Sequence, residues 1–208
     1  MKHPRRALVG ALTGLGALAG LLVTYALPIR RNVGPEGRWW EALRRRFSRR
    51  LGAVLDERAG PRPIAPGEYA GRLDRSLADA ETLLWAEGFV RNPLSRLKTR
   101  DGDAELGSWA YRESPLARRQ VHVMLFPVEG GDTNGGDDRS DTDAVAVYAH
   151  EEASSVNPFV GAAHFDGAGQ DVAAGVARAR ERLPLDASDA TADPPHGPWD
   201  ACRTADWE

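Results

Sequence analysis

An uncharged apolar run near the N-terminus constrains this chain more than any other feature. Residues 7–29 read ALVGALTGLGALAGLLVTYALPI, with arginines directly before and after them. About 20 such residues cross the ~30 Å hydrocarbon core of a bilayer as a helix, which satisfies its own backbone hydrogen bonds. A buried core helix is usually shorter and carries polar residues on one side. We therefore expect a transmembrane helix over 7–29, behind a short flank of residues 1–6.

A cleaved secretory signal is the main alternative to a retained anchor. Lys2, Arg5 and Arg6 form a positive N-terminal region, and the two arginines also form a twin-arginine pair. No clean small-x-small cleavage site follows the run, which ends in TYALPI. The retained anchor is the better interpretation, and an exported protein with a twin-arginine-like signal is the alternative.

The charges around the run predict its orientation. Lys and Arg near a membrane span stay on the cytoplasmic side. Eight arginines lie within residues 30–50, against three basic residues before the run. We therefore expect a single-pass protein of the cell membrane with its soluble domain in the cytoplasm.

Small residues recur four apart within the run, a spacing that lets two helices approach closely. Spans rich in Ala and Gly are also common without dimerisation. The pattern permits a homodimer through four glycines: Gly10, Gly14, Gly16 and Gly20.

Residues 30–60 predict a basic amphipathic helix directly after the run. Large apolar residues between Trp40 and Leu55 recur at helical spacing on one side. The other side carries basic residues that suit anionic lipid headgroups: Arg38, Arg45, Arg46 and Arg49. Such a helix lies in the lipid interface, where each basic residue gains about 1 kcal/mol from anionic lipid. Packing of this helix on the soluble domain is the alternative.

Charge divides the chain into two parts. Residues 1–60 hold 12 Lys or Arg against 4 Asp or Glu, and residues 61–208 hold 15 against 26. The formal charges of +8 and −11 suit a basic part at an anionic membrane and an acidic part in solution. Nucleic acid is therefore a poor partner. The single cysteine, Cys202, excludes an internal disulfide and a zinc site built from thiolates.

The rest of the chain predicts one small α+β domain over residues 67–184. A Pro-rich linker, 61–66, precedes the domain, and an acidic, disordered tail, 185–208, follows it. Residue spacing predicts helices over 69–88 and 171–183, and strands over 105–112, 120–126, 144–151 and 159–165. We expect a two-layer sandwich, in which helices cover one face of an antiparallel sheet.

The acidic, Gly-rich loop over residues 128–142 invites a comparison with calcium-binding loops, where oxygen ligands recur at alternate positions. The spacing does not fit. In a calcium-binding loop laid on this segment, Gly136 would stand at the fifth position, where it offers no side-chain ligand. Asp137 would stand at the next position, where the turn requires glycine. A flexible, solvated loop is the better interpretation.

Three histidines lie in or beside the predicted strands, with carboxylates close by. Imidazole and carboxylate groups are ligands of zinc and iron. If Val121 and Val147 face the covering helices, strand alternation turns His122 and His150 to the other face as cross-strand neighbours. The candidate metal ligands are His122, His150, His164, Glu152 and Asp166. Histidines that bind only water or a nearby carboxylate are the commoner case, so the sequence alone assigns no metal.

No motif of a known catalytic chemistry occurs in the sequence: no phosphate loop, no dinucleotide fingerprint and no nucleophile elbow. An aromatic patch on the outer sheet face would suit a protein partner or a small apolar ligand, and its members would be Trp109, Tyr111, Met124, Phe126 and Tyr148. We favour a binding or scaffold role at the membrane face over catalysis and assign no catalytic residue and no cofactor. A metal-dependent enzyme or metal-binding domain is the alternative.

Overall fold

The structure, a computed structural model, describes residues 45–46, 61–92, 95–128, 143–166 and 169–187. The elements of the domain are, in chain order, β1 (Arg62–Pro63), a 3-10 helix (Pro66–Glu68), β2 (Tyr69–Leu73), α1 (Leu77–Ala86), β3 (Val90–Arg91), β4 (Lys98–Arg100), β5 (Asp103–Ala104), β6 (Gly107–Tyr111), β7 (Arg119–Pro127), β8 (Val145–Ala153), α2 (Gly161–Asp166) and α3 (Val172–Arg182). The mixed α+β class predicted from the sequence is confirmed.

Five strands form the main antiparallel sheet, in the order β2-β8-β7-β6-β3. Its centre is the pair β7 and β8, nine residues each, in register from Arg119 opposite Ala153 to Pro127 opposite Val145. The β-branched and aromatic residues of these segments favour strands. Three strands predicted from the sequence are confirmed: 105–112, 120–126 and 144–151.

One face of the main sheet packs against α1 and α3. Val123, Leu125 and Val147 point to this side and are fully buried in the core. Burial of an aliphatic side chain of this size contributes about 1.5–3 kcal/mol to stability. Because successive side chains of a strand point to opposite faces, His122 and His150 must point away from these helices.

The opposite face of the main sheet is covered as well. A small sheet in the order β1-β4-β5 lies over one part of it, with Ile64 and the Arg100 guanidinium packed against the group that contains Tyr148. Farther along β8, α2 contacts the same strand. The arrangement with helices on one face only, expected from the sequence, is therefore wrong. Strands of two or three residues carry too little periodicity to be predicted.

The aromatic patch expected on an outer face does not form. Trp109 is fully buried on the helix side of the sheet, and the Arg91 guanidinium lies 4.8 Å from its ring centroid. Met124, Phe126 and Tyr148 are buried on the other face. The β6 alternation thus separates Trp109 from this second group. An exposed aromatic surface no longer supports a role in partner binding.

The helix predicted from residue 69 begins later than expected. Tyr69–Leu73 form β2 and pair with β8, and α1 starts at Leu77, after the cap residue Ser76. Residues four apart share a face in a strand as well as in a helix, so their spacing fits both structures. The backbone at Gly71 excludes a helix here, because its φ of +144° lies outside the helical region. Glycine adopts this conformation readily.

The strand predicted over 159–165 is a helix. α2 begins after Asn157, whose carbonyl accepts the Gly161 N–H at 2.8 Å and whose side chain accepts the Phe159 N–H at 2.9 Å. A short apolar run has no period that separates a strand from a helix. As a result, His164 reaches the sheet from a helix and not from a further strand.

The ends of the domain differ from the predicted boundaries. Within the expected linker 61–66, Arg62 and Pro63 pair with β4. Beyond the expected end at residue 184, Asp186 exchanges two backbone hydrogen bonds of 2.9 Å with Arg72. The last helix predicted from the sequence, 171–183, is confirmed as α3.

Several predicted segments lie wholly or mostly outside the described residues: the apolar run 7–29 with its four glycines, residues 129–142 of the loop 128–142, and residues 188–208 of the tail 185–208. Of the predicted amphipathic helix only Arg45 and Arg46 are described, and both are helical. Arg45 donates a hydrogen bond to the Leu106 carbonyl at 3.1 Å. In the part of the chain that the structure describes, no helix has the length and apolarity that a membrane crossing requires.

Candidate metal centre

The register of the central strands places two histidines side by side. His122 of β7 is the direct partner of His150 of β8, on the face away from α1 and α3. The His122 Nδ1 and His150 Nε2 atoms are 3.3 Å apart, and the ring planes are nearly perpendicular. Both imidazoles are buried, so protein groups or a ligand must satisfy their nitrogens.

Glu152 completes a three-residue cluster with His122 and His150, because the β8 alternation returns it to the same face. Its Oε2 lies 3.2 Å from His150 Nε2, and its Oε1 lies 3.4 Å from His122 Nδ1. One ligand atom from each of the three residues lies within 4.8 Å of the others. Glu152 is 3% exposed, and a charge buried to this degree requires a cation or several donors.

α2 adds a third imidazole beside this cluster. His164 is buried, and its Nδ1 lies 3.1 Å from Glu152 Oε2. The fold thus brings together four of the five candidate ligands of the sequence. Asp166, the fifth, ends α2, and its side chain lies outside what the structure describes.

Each histidine of the cluster faces a second polar group through its other ring nitrogen. Ser108 Oγ lies 2.7 Å from His122 Nε2, and Glu68 Oε1 lies 3.5 Å from His150 Nδ1. Protons placed on these outer nitrogens leave the lone pairs of His122 Nδ1 and His150 Nε2 directed into the cluster. The Ser108 contact is a hydrogen bond of the kind typical of metal-binding histidines, whereas Glu68 is close enough to His150 Nδ1 only for an electrostatic interaction.

The carboxylate of Glu152 is oriented in the same way. Gln120 donates its side-chain N–H to Glu152 Oε1 at 2.7 Å, and the Arg112 guanidinium donates to Gln120 Oε1 at 2.8 Å. Both supporting side chains are buried. Gln120 therefore holds the Glu152 carboxylate in position, and Arg112 in turn holds Gln120.

Sequence reasoning did not identify the groups around the cluster, among them Gln120, Ser108 and Glu68. Gln120 could have been found, since it lies two residues before His122 on the same face of a predicted strand. Ser108 could not have been identified without the register in which β6 pairs with β7. Glu68 lies in a single 3-10 turn, for which the sequence gives no signal.

Burial and neighbouring charges set the protonation of the cluster. Burial holds the pKa of His122 well below its ordinary value, although Glu152 opposes this effect. Burial acts in the same direction on His150, but the neighbouring carboxylates of Glu152 and Glu68 outweigh it and raise its pKa. Burial would raise the pKa of Glu152, yet His164 and His122 hold it well below its ordinary value. These shifts favour an ionised Glu152 and a neutral His122, and they favour the protonated form of His150, whose proton a metal would displace.

The spacing of the cluster fits a single metal ion. Zinc binds imidazole nitrogen and carboxylate oxygen at about 2.0–2.2 Å, so two ligand atoms of a tetrahedral site are about 3.3–3.6 Å apart. The two imidazole nitrogens are 3.3 Å apart, and each faces a different oxygen of Glu152, at 3.2 Å for His150 and 3.4 Å for His122. Atoms at these distances require only small shifts to accept an ion between them.

Ser108, His122 and Glu152 also follow the order of a hydrolase triad, in which a hydroxyl, an imidazole and a carboxylate lie in a row. Ser108 is fully buried in the middle of β6, and its hydroxyl also bonds to the Ser95 hydroxyl at 2.6 Å. A nucleophile must be reached by its substrate. We therefore interpret Ser108 as a group that orients His122.

Comparison with known proteins gave no match to any family model, curated protein or solved structure. The fold and the cluster define the class of this protein as an α+β domain with a buried site made of histidine and carboxylate groups.

Proposed function

We propose that the domain binds a divalent first-row transition metal, with zinc as the first choice, through His122, His150 and Glu152. One observation carries the proposal: two buried histidines are direct cross-strand partners, and a buried carboxylate lies against both. Nitrogen and oxygen donors without a thiolate suit zinc, and also iron, copper and nickel. His164 supplies a further donor beside Glu152.

The same geometry favours metal binding over metal-dependent turnover. Catalytic zinc sites keep a position open to water or substrate, whereas structural sites are closed by protein ligands. The four donor side chains lie within residues that are at most 7% exposed. A metal bound here would join β7, β8 and α2 and would stabilise the native state, because the unfolded chain has no such site.

Titration of the full-length chain with Zn²⁺ tests the proposal. The protein is purified without a histidine tag, stripped with a chelator and titrated in competition with a chromogenic chelator of known affinity. We expect one tight site per chain in the wild type and its loss in the His150→Ala variant. His196→Ala is the matched control, since this histidine lies in the tail far along the chain from the cluster. Wild-type protein without stoichiometric binding, or equal affinity in His150→Ala, contradicts the proposal.

We further propose that the chain holds this domain at the cytoplasmic face of the cell membrane. The uncharged run over 7–29 and the excess of arginines in 30–60 support this proposal. Anionic lipid headgroups and a second copy of the chain are the partners that these segments would bind. A membrane-impermeant maleimide tests the orientation through Cys202: we expect labelling only after permeabilisation, on a full-length chain. Labelling of intact cells would reverse the orientation and favour export.

A further inference from the structure

Gln170 connects the cluster with the surface of the domain. This residue is exposed, whereas His150 is fully buried. Nevertheless, Gln170 Nε2 lies 3.3 Å from His150 Nε2, the nitrogen that also faces His122 and Glu152. A metal site that is built into a fold requires an entry path for the ion. At Gln170 a donor atom of the cluster lies within reach of the surface.

The backbone around Gln170 is fixed against β8. Asp171 exchanges two backbone hydrogen bonds of 2.8 Å with Glu151, and its side chain caps the N-terminus of α3. On the other side of Gln170, the Gly169 carbonyl accepts a hydrogen bond from Arg119 at 2.9 Å. Because Asp171 is the antiparallel partner of Glu151, Gln170 points to the opposite face of the sheet, which carries the cluster. The fold therefore directs this side chain at the cluster.

The side-chain amide of Gln170 is able to serve as a metal ligand. Rotation of the amide by 180° exchanges its nitrogen and oxygen, so Oε1 reaches the same place, beside His150 Nε2. Adjacent ligand atoms of a tetrahedral zinc site are about 3.3–3.6 Å apart. His122 and Glu152 lie 3.3 and 3.2 Å from the same nitrogen, so His150 Nε2 has three neighbours at nearly this spacing. An amide oxygen carries no full charge, and it therefore holds a cation less strongly than a carboxylate does.

We propose that Gln170 Oε1 occupies the solvent-facing coordination position of the metal, and that a small external anion binds the metal by replacing it. This inference rests on the proposed metal site. His122, His150 and Glu152 hold the ion from inside the domain, and Gln170 closes the site from the surface. Zinc binds four ligands and accepts a fifth, so a contribution from His164 is compatible with this arrangement. Replacement of the amide leaves the ion in place, because the buried ligands remain bound.

Cobalt substitution makes the solvent-facing position visible, because Co²⁺ accepts the same nitrogen and oxygen donors as Zn²⁺ and its visible absorption bands change with its ligands. The full-length chain, in detergent, is loaded with Co²⁺ and titrated with azide at constant ionic strength. We expect Gln170→Ala to bind azide about tenfold or more tightly than the wild type. An internal ligand that holds the position in about nine-tenths of the molecules weakens a competitor by this factor.

Two further variants distinguish a ligand from a side chain that only covers the site. Gln170→Met keeps the length of the side chain and removes the oxygen, so it should respond to azide as Gln170→Ala does. Gln170→Glu supplies a charged ligand and should resist azide more strongly than the wild type does. The matched control is Glu181→Ala, which removes an exposed side chain of α3, across the sheet from the cluster. This control should respond as the wild type does.

Three outcomes contradict these expectations. Equal azide binding in the wild type and Gln170→Ala, or a Gln170→Met variant that behaves as the wild type, overturns the inference and leaves the metal site standing. A wild-type chain that binds no Co²⁺ overturns the proposed metal site itself and the inference with it.

Discussion

At the scale of single residues, Glu152 carries most of the interactions in the cluster. Its Oε1 faces Gln120 and His122, and its Oε2 faces His150 and His164. A carboxylate with this many neighbours has its position and its charge fixed by the fold. The same group gives the sharpest single substitution, because glutamine keeps its shape and removes its charge.

The Glu152→Gln variant should bind Zn²⁺ more than about a hundredfold more weakly than the wild type, since loss of even an outer partner of a metal ligand costs ten- to hundredfold. Competition titration measures the change. Glu151→Gln is the control, because this neighbour lies on the other face and pairs with Arg119 at 2.7 Å. Equal losses in both variants would indicate a general effect of charge and not a ligand.

Ser108 tests the role of the outer partners. Ser108→Ala removes the group 2.7 Å from His122 Nε2 and should weaken Zn²⁺ binding about ten- to hundredfold. The exposed Ser114 provides the control substitution, Ser114→Ala, which should leave the affinity unchanged. An unchanged affinity in Ser108→Ala would remove this serine from the site.

The two histidines of the cluster should affect the stability of the metal-free protein with opposite dependence on pH. Below about pH 6.5 the unfolded chain protonates His122 while the folded chain keeps it neutral, so this residue reduces stability as the pH falls. The raised pKa of His150 gives a contribution that is fully present below about pH 6.5 and lost as the pH rises through its folded-state pKa.

Urea unfolding in the presence of a chelator measures both effects. On acidification, the stability of the wild type should fall relative to His122→Asn and rise relative to His150→Asn. If the stability difference from the wild type changed with pH in the same direction for both variants, the assigned protonation states would be contradicted.

At the scale of elements, α3 packs against β8 on the face of the sheet opposite the cluster and so helps to position it. Gly175 of α3 lies directly against the backbone of His150, where a Cβ atom would overlap the His150 Cα and carbonyl carbon. The helix and the strand can approach this closely only because the residue is glycine. Helix packing therefore limits where the His150 imidazole lies on the opposite face.

Gly175→Ala should destabilise the domain by about 1–3 kcal/mol, the usual cost of overpacking, and should also weaken Zn²⁺ binding because His150 must shift. Urea unfolding and competition titration give the two values. In the control Gly67→Ala, the new methyl group would meet Val172 at an ordinary 3.7 Å. Full metal affinity in Gly175→Ala would show that the position of the histidine does not depend on this contact.

The elements also show which parts of the fold a sequence can predict. β7 and β8 alternate cleanly, so the sequence predicts that His122 and His150 share a face and makes them possible neighbours, whereas the register that pairs them directly is a property of the fold. β2 could not be separated from a helix, because Tyr69 and Leu73 fit both periods. The place of Arg100 over the Tyr148 ring depends on the pairing of β4 with β1, which involves two residues of each strand. Contacts of this kind arise from the tertiary fold and leave no local pattern.

At the scale of the whole molecule, the described domain supports only the proposed metal site and not the proposed membrane location. The apolar run 7–29 and most of the basic segment 30–60 lie outside the described residues, so the membrane location stays a prediction from the sequence. The two proposals are independent, since the cluster is built entirely within residues 68–164. Each is therefore tested without the other.

Zinc X-ray absorption spectroscopy of the full-length chain, loaded with one equivalent of Zn²⁺, tests the central claim most directly. We predict nitrogen and oxygen ligands only, at about 2.0–2.2 Å, with the outer-shell scattering of at least two imidazoles. A sulfur ligand at about 2.3 Å would place the metal at Cys202, and a site without imidazole would exclude His122 and His150. Either result would contradict the proposed metal centre.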